Sequence, residues 1–190
     1  MVGAARQRFT FREYLELEAV SNVRHEYADG TVWAMTGGSP AHAALGAALI
    51  AELIYLLAGA TCGIYTSDLR IRIQASGRAT YPDVTVVCGD LELDPEDPSG
   101  HTVTNPTVLF EVLSPSTEDY DRGEKLGQYR LIPSVQAILL LRADRRHVEV
   151  WTRDGGAFTS ATVRDDETLH IDALGFSAPL RALYDRAGGA

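Results

Sequence analysis

The stretch that most limits what this chain can fold into is residues 107–113, TVLFEVL, a nearly unbroken apolar and β-branched run. It reads as a strand covered on both faces, so the chain needs a sheet with packed layers on either side. Glu111 is its one charge. A carboxylate in such a strand is costly unless it is paired, protonated or bound to a cation, which makes Glu111 a candidate metal ligand. The alternative is an acid at the strand's exit, half solvated or paired with an arginine. A turn over residues 114–117 and a helix over residues 118–131 follow, with Pro133 marking the end.

That helix carries Lys125, and of the 17 basic residues in the chain it is the one lysine, the other 16 being arginine. Lysine presents a compact ammonium that points at one oxygen, so a lone lysine marks a place where arginine would not serve; the competing reading is a solvated helix charge left over by an arginine-rich composition. Asp121, Lys125 and Tyr129 recur every four residues, so they share a helical face that can turn toward the mouth of the Glu111 strand. As an ordinary (i, i+4) surface pair, Asp121 and Lys125 would be worth only about 0.2–0.5 kcal/mol, and Tyr129 would serve equally as a core aromatic.

The rest of the chain supplies the layers. Thr10 caps a helix over residues 11–18, with Glu13 completing a capping box and Phe11, Tyr14, Leu15 and Leu17 forming its apolar side. Two short strand-like runs flank Asp29-Gly30, a strong hairpin signal, with Glu26 on the first. Ser39 and Pro40 open a helix over residues 40–57 that is apolar around most of its circumference. His42 lies in its first turn, where it would either contact a phosphate at the helix N-terminus or act as a surface or capping residue.

CGIYT and LRIRIQ read as strands, the second alternating as an amphipathic edge strand, and residues 75–79 read as a turn. Tyr81-Pro82-Asp83 then leads into a buried strand over residues 84–88 with Asp83 at its mouth. Residues 89–106, acidic and rich in proline and glycine, read as a mobile surface loop. Strands over residues 136–141, HVEVW and AFTSATV around Asp154-Gly155-Gly156, a short strand over 168–171 and a closing helix over 179–184 complete the sheet.

A chain of 190 residues suits a single domain, 1–190, that folds without a disulfide or structural metal. Cys62 and Cys88 lie far apart without CxxC spacing, which fits buried thiols in a reducing cytosol. Without an apolar leader or a membrane-length run, the expectation is a cytoplasmic protein away from membranes. The net charge of -9 counts against a broad basic surface for nucleic acid, although a site that works through divalent cations concentrates carboxylates.

Taken together, Pro82-Asp83 at one strand, EVLSPST at the next and D-x-x-x-K-x-x-x-Y on a helix resemble the PD-(D/E)XK nuclease superfamily, and more closely the bacterial Uma-two family of proposed restriction endonucleases. The resemblance runs over about residues 10–151. It implies an α/β fold with a restriction-endonuclease-like core: a mixed central sheet flanked by helices, with an N-terminal helix and hairpin. Leu113 stands where the wider superfamily places its strand lysine; in the resembling family the next helix supplies it, and Lys125 occupies that place.

The resemblance implies a metal-dependent DNA endonuclease that hydrolyses phosphodiesters with Mg2+, for which Mn2+ would substitute. Asp83 and Glu111, helped by the Val112 carbonyl, would hold the metal, Lys125 would assist the attacking water, and Glu26 would complete the acidic set. His42, Asp121 and Tyr129 would support them. DNA is then the expected substrate, and a homodimer the simplest way to cut both strands. The alternative is a catalytically inactive nuclease-fold module for nucleic-acid binding or oligomerisation. A metal-free hydrolase using Ser114 or Ser116 with His42 finds no Gly-x-Ser-x-Gly elbow in the sequence.

Overall fold

The computed structural model describes residues 8–115 and 118–188. Helix α1 (Phe11–Val20) starts at Thr10, whose hydroxyl accepts from the Glu13 N–H while the Glu13 carboxylate accepts from the Thr10 N–H, so two otherwise orphaned donors are satisfied. Strands β1 (His25–Ala28) and β2 (Thr31–Ala34) are joined by Asp29 and Gly30 at φ of 45° and 77°, a left-handed pair that Asp-Gly adopts at little cost. Helix α2 (Pro40–Leu56) is capped by the Ser39 hydroxyl, which accepts from the His42 N–H. Strands β3 (Cys62–Thr66), β4 (Arg70–Ile73), β5 (Arg78–Thr80), β6 (Val84–Cys88), β7 (Thr102–Val103) and β8 (Val108–Leu113) follow. Next come a short helix α3 (Glu118–Tyr120), a π-helical turn (Asp121–Lys125) and helix α4 (Leu126–Tyr129). The chain closes with β9 (Ala137–Arg142), β10 (His147–Asp154), β11 (Ala157–Arg164), β12 (Thr168–Ile171), β13 (Phe176–Pro179) and α5 (Leu180–Arg186).

Six strands form one sheet in the order β11-β10-β9-β8-β6-β3, parallel at β8–β9 and antiparallel elsewhere. A five-stranded sheet, β2-β1-β5-β4-β7, packs nearby. Strand β8 divides its side chains between two cores. Val108, Phe110 and Val112 pack with residues of α2 and α5, whereas Leu109 and Leu113 pack with Ile71 of the second sheet and with Leu126 and Tyr129 of α4. By the two-residue alternation Glu111 lies on the second side, facing the helix that carries Lys125. Burial of the five apolar side chains of β8 contributes about 1.5–3 kcal/mol each, more than the several kcal/mol that one buried ion costs, so the strand stays inside with its acid. The result is a mixed sheet flanked by helices with an N-terminal helix and hairpin, as the resemblance implied. Among the described residues no helix is long and apolar enough to cross a membrane.

Several expectations are corrected. Strand β4 is not an edge: β5, placed where a turn was expected, and β7 lie on either side of it, and all four of its residues are buried. Arg70 donates from Nε to the Tyr81 hydroxyl at 2.9 Å and lies 3.8 Å from Asp97, and the Arg72 guanidinium stacks 3.4 Å from the Phe11 ring centroid and 3.5 Å from Asp94. Polar alternation therefore does not mean solvent here, because the arginines find carboxylates and rings. Those carboxylates order residues 89–106, which are not a mobile loop. Thr102 and Ser99 donate to Asp97, Asp94 N–H donates to Thr102 O at 2.9 Å, and β7 adds a parallel strand to β4. The expected helix over residues 118–131 ends at Tyr129 and widens into a π turn at its middle. Ser116 and Thr117 of the expected turn lie outside the described residues. Cys62 and Cys88 face each other across β3 and β6 and are joined as a disulfide rather than standing as two thiols, a pairing that sequence spacing could not show.

Two outcomes follow. Because the disulfide closes a segment of 26 residues, Cys62→Ser lowers the unfolding free energy in urea by about 3 kcal/mol, measured without reductant. Asp97→Ala leaves Arg70 buried without its carboxylate, costs about 3 kcal/mol and opens residues 89–106 to limited proteolysis. Burial alone would raise the Asp97 pKa, but hydrogen bonds from Ser99 and Thr102 and the nearby Arg70 hold it below its ordinary value. Its contribution is thus complete at neutral pH and is lost only as the pH falls through that depressed value.

Candidate active site

The π turn brings the helix onto Glu111. The Leu126 N–H reaches the Asp121 carbonyl five residues back, a wider turn of a kind that recurs at functional sites. Lys125 Nζ then stands 3.1 Å from Glu111 Oε1, 3.2 Å from Glu26 Oε1 and 3.7 Å from Asp121 Oδ1, with its side chain almost wholly buried. Tyr129, one turn further on, donates its hydroxyl to Glu111 Oε1. Glu26 accepts from the hydroxyls of Thr80 and Tyr120, each at 2.5 Å. At the mouth of β6, Asp83 Oδ2 accepts the Val112 N–H at 2.7 Å and lies 3.2 Å from His42 Nε2.

The electrostatics follow from burial and from an excess of acids. Burial pushes Glu111 up to about 8, with Asp83 and Asp121 adding to the rise and Lys125 opposing it. Burial works against the Lys125 ammonium, but Glu111, Tyr129, Glu26 and Asp121 together hold its pKa well above the ordinary value, so it remains charged. For Glu26, burial is outweighed by Lys125 and the donated hydroxyls, and its pKa is lowered. His42 is raised chiefly by its hydrogen bond to Asp83, and the Val112 backbone adds to this.

Glu26, His42, Asp83, Glu111, Val112, Asp121 and Lys125 thus line one cleft of about 280 Å³, with Tyr129 behind Glu111. Glu111 is not the half-solvated acid of the alternative reading, since only 2% of it is exposed, and Glu26 is as buried. His42 is not a surface histidine, because its ring is half-buried against Asp83. Ser114 is not among the residues lining the cleft. A larger groove of about 1070 Å³, between α1 and residues 96–101, contains none of this set.

Sequence reasoning missed Thr80, Tyr120, Trp33 and Arg78. Trp33 lines the cleft, and Arg78, 2% exposed, donates to Tyr120 and Glu124 from behind. The signal available was Tyr120 one residue before Asp121; Arg78 gave none, since it sits in what read as a turn.

Among the described residues no three His, Cys, Asp or Glu side chains form a ready-made metal cage. The cleft offers two carboxylates, Asp83 and Glu111, at neighbouring strands with the Val112 backbone between them. Such oxygen donors suit a hard divalent ion that keeps several of its waters.

A solved structure from Anabaena variabilis, described as a "putative nuclease belonging to DUF820", has the same fold, with a TM-score of 0.75 at 16% identity over 94% of this chain and 99% of that one. The chain belongs to the Uma2 family, described as "Putative restriction endonuclease", which it matches over residues 11–181. Two uncharacterized Synechocystis proteins are similar: slr1290 is 35% identical over 90% of this chain and 89% of its own length, and sll1609 is 33% identical over 82% and 86%.

Gly38 gives a probe of the His42 contact. A Cβ at Gly38 would stand 2.5 Å from His42 Nδ1, so Gly38→Ala displaces the ring from Asp83. In that variant His42 titrates at lower pH than in the wild type, as followed by NMR of the imidazole, while the circular dichroism spectrum is unchanged.

Proposed function

We propose that this chain is a magnesium-dependent DNA endonuclease that hydrolyses phosphodiester bonds, in which Asp83 and Glu111 bind the metal with the Val112 carbonyl and Lys125 assists the attacking water. The observation that carries this reading is the position of Lys125. The chain's one lysine reaches back from a π turn to within 3.1 Å of the acid on the central strand, in the cleft that Asp83 also lines.

A bound divalent ion would supply charge for the phosphate and acidity for a water. The residues have their own parts. Four carboxylates, Glu26, Asp83, Glu111 and Asp121, face Lys125 and His42, an acidic excess that favours a cation in the cleft. The Val112 N–H and His42 orient Asp83, and the Tyr129 hydroxyl orients Glu111. Lys125, held as ammonium, donates to a water or to a phosphate oxygen and compensates charge as it grows there. Family membership supports nuclease-type chemistry, and the reading sets it in the cytoplasm, where the Cys62–Cys88 bond meets a reducing thiol pool.

One observation favours a second reading, a nuclease-fold module that binds without cutting: Lys125 is already matched by three carboxylates, and the chain carries a net charge of -9. Activity and metal binding separate the two. The wild type cuts plasmid or single-stranded DNA with magnesium or manganese, and Lys125→Met, Asp83→Asn and Glu111→Gln each lose about 100-fold or more. Calorimetry with manganese shows binding that both acid variants lose. Identical traces of nicking from wild type and Lys125→Met, with no manganese binding even when DNA is present, decide for the module.

A further inference from the structure

The half-buried Trp33 belongs to none of the apolar cores formed by the described residues. It stands on β2, the outermost strand of the five-stranded sheet, directly opposite Glu26 in the β1–β2 register. Directly opposed side chains emerge on the same face of a sheet, so the register brings the indole to the cleft beside Glu26. Their neighbours Tyr27 and Val32, also opposed, face the core under α1 instead.

The Tyr120 ring meets the indole edge to face, with centroids 6.4 Å apart and planes at 87°. Its hydroxyl is pinned, donating to Glu26 and accepting from Arg78 Nη2, each at 2.5 Å. The Arg78 guanidinium lies 5.4 Å from each ring centroid. Two rings held at a right angle by a buried arginine make a rigid aromatic corner on the outer part of the cleft.

Beneath that corner the floor is nearly closed. Glu26, Glu111 and Lys125 are 2%, 2% and 6% exposed, in a cleft of about 280 Å³. A phosphodiester reaches Lys125 only by leaving the line of its own helix; in a duplex, stacking and pairing oppose this, whereas an unpaired strand bends in freely. Charge points the same way. A duplex is held mainly through many phosphate contacts, and a wall with four carboxylates in a chain of net charge -9 does not provide them. Stacking on an aromatic ring provides attraction that needs no basic surface and accepts any base.

We propose, on the footing of the nuclease reading above, that Trp33 with Tyr120 stacks on a base of an unpaired strand and that single-stranded nucleic acid is the substrate class of this site. Trp33 is then the residue that selects strand form, and Lys125 and the acids act on the phosphate beside the stacked base.

The test uses the full chain. The chain has two tryptophans, so Trp151→Phe leaves Trp33 as its one indole. In magnesium, a cleavage-resistant phosphorothioate single strand quenches its emission, an abasic strand of the same length does not, and a blunt duplex half-saturates only at about 10-fold higher concentration. Trp33→Ala raises the half-saturating concentration of the single strand about 10-fold in filter binding, Trp33→Phe recovers most of this, and the melting temperature is unchanged. Absence of quenching, equal quenching by the abasic strand, or undiminished binding by Trp33→Ala overturns the proposal. A wild type that shows the quenching but cuts no polynucleotide refutes the nuclease reading and leaves the stacking standing. One that cuts single strands and duplexes alike, with Trp33→Ala as fast, refutes the stacking and leaves the nuclease reading standing.

Discussion

The Lys125 ammonium, buried within 3.2 Å of both Glu111 and Glu26, ties together three parts of the molecule. Glu111 belongs to the central six-stranded sheet, Glu26 to the hairpin edge of the second sheet, and Lys125 to the π turn that bridges them. Each of these charges would be prohibitive where it lies if it stood alone, since desolvation of a single ion costs several kcal/mol. Together they form a network in which Thr80, Tyr120 and Tyr129 supply further hydrogen bonds. The network still carries more acid than base, and that residual charge distinguishes it from an ordinary buried ion pair. Burial, with the neighbouring acids Asp83 and Asp121 adding to it, leaves Glu111 with its pKa raised, and the excess of acid disposes the cleft toward cations.

The same economy of buried charge runs through the second sheet. Arg70, Arg72 and Arg78 are all buried on β4 and β5, each matched to carboxylates, hydroxyls or aromatic faces. Their partners come from distant segments: Asp94 and Asp97 from residues 89–106, Glu124 and Tyr120 from the helical segment after β8. The arginines therefore fasten a flap on one side and brace the aromatic corner of the cleft on the other. The fold thus sets Arg70, Arg72, Arg78 and Lys125 inside against carboxylates, where they add no positive charge to the surface of an acidic chain.

Fold and chemistry meet at the ends of β6 and β8. Antiparallel pairing of these strands sets Asp83 beside the Val112 N–H, and parallel pairing of β8 with β9 keeps the central strand covered, so its one acid is turned toward the helix rather than to water. Family membership alone left open which residues serve the site in this chain, and the geometry narrows the candidates to one cleft.

Much of this was legible in the residues. The buried strand, the hairpin at Asp29-Gly30, the caps at Thr10 and Ser39, and Asp83 and Glu111 as the acids to watch follow from local rules: turn chemistry, capping, apolar runs and a misplaced charge, whereas Lys125 stood out by composition and by the family resemblance. What tertiary structure alone decided is which charges became buried partners. Alternation made Arg70 and Arg72 look solvent-facing, composition made residues 89–106 look mobile and spacing made the cysteines look unpaired. In each case the deciding contact came from a segment far away in the chain. A local pattern reports what a residue prefers beside water, and it does not report which opposite charge, hydroxyl or thiol the folded chain will bring to meet it.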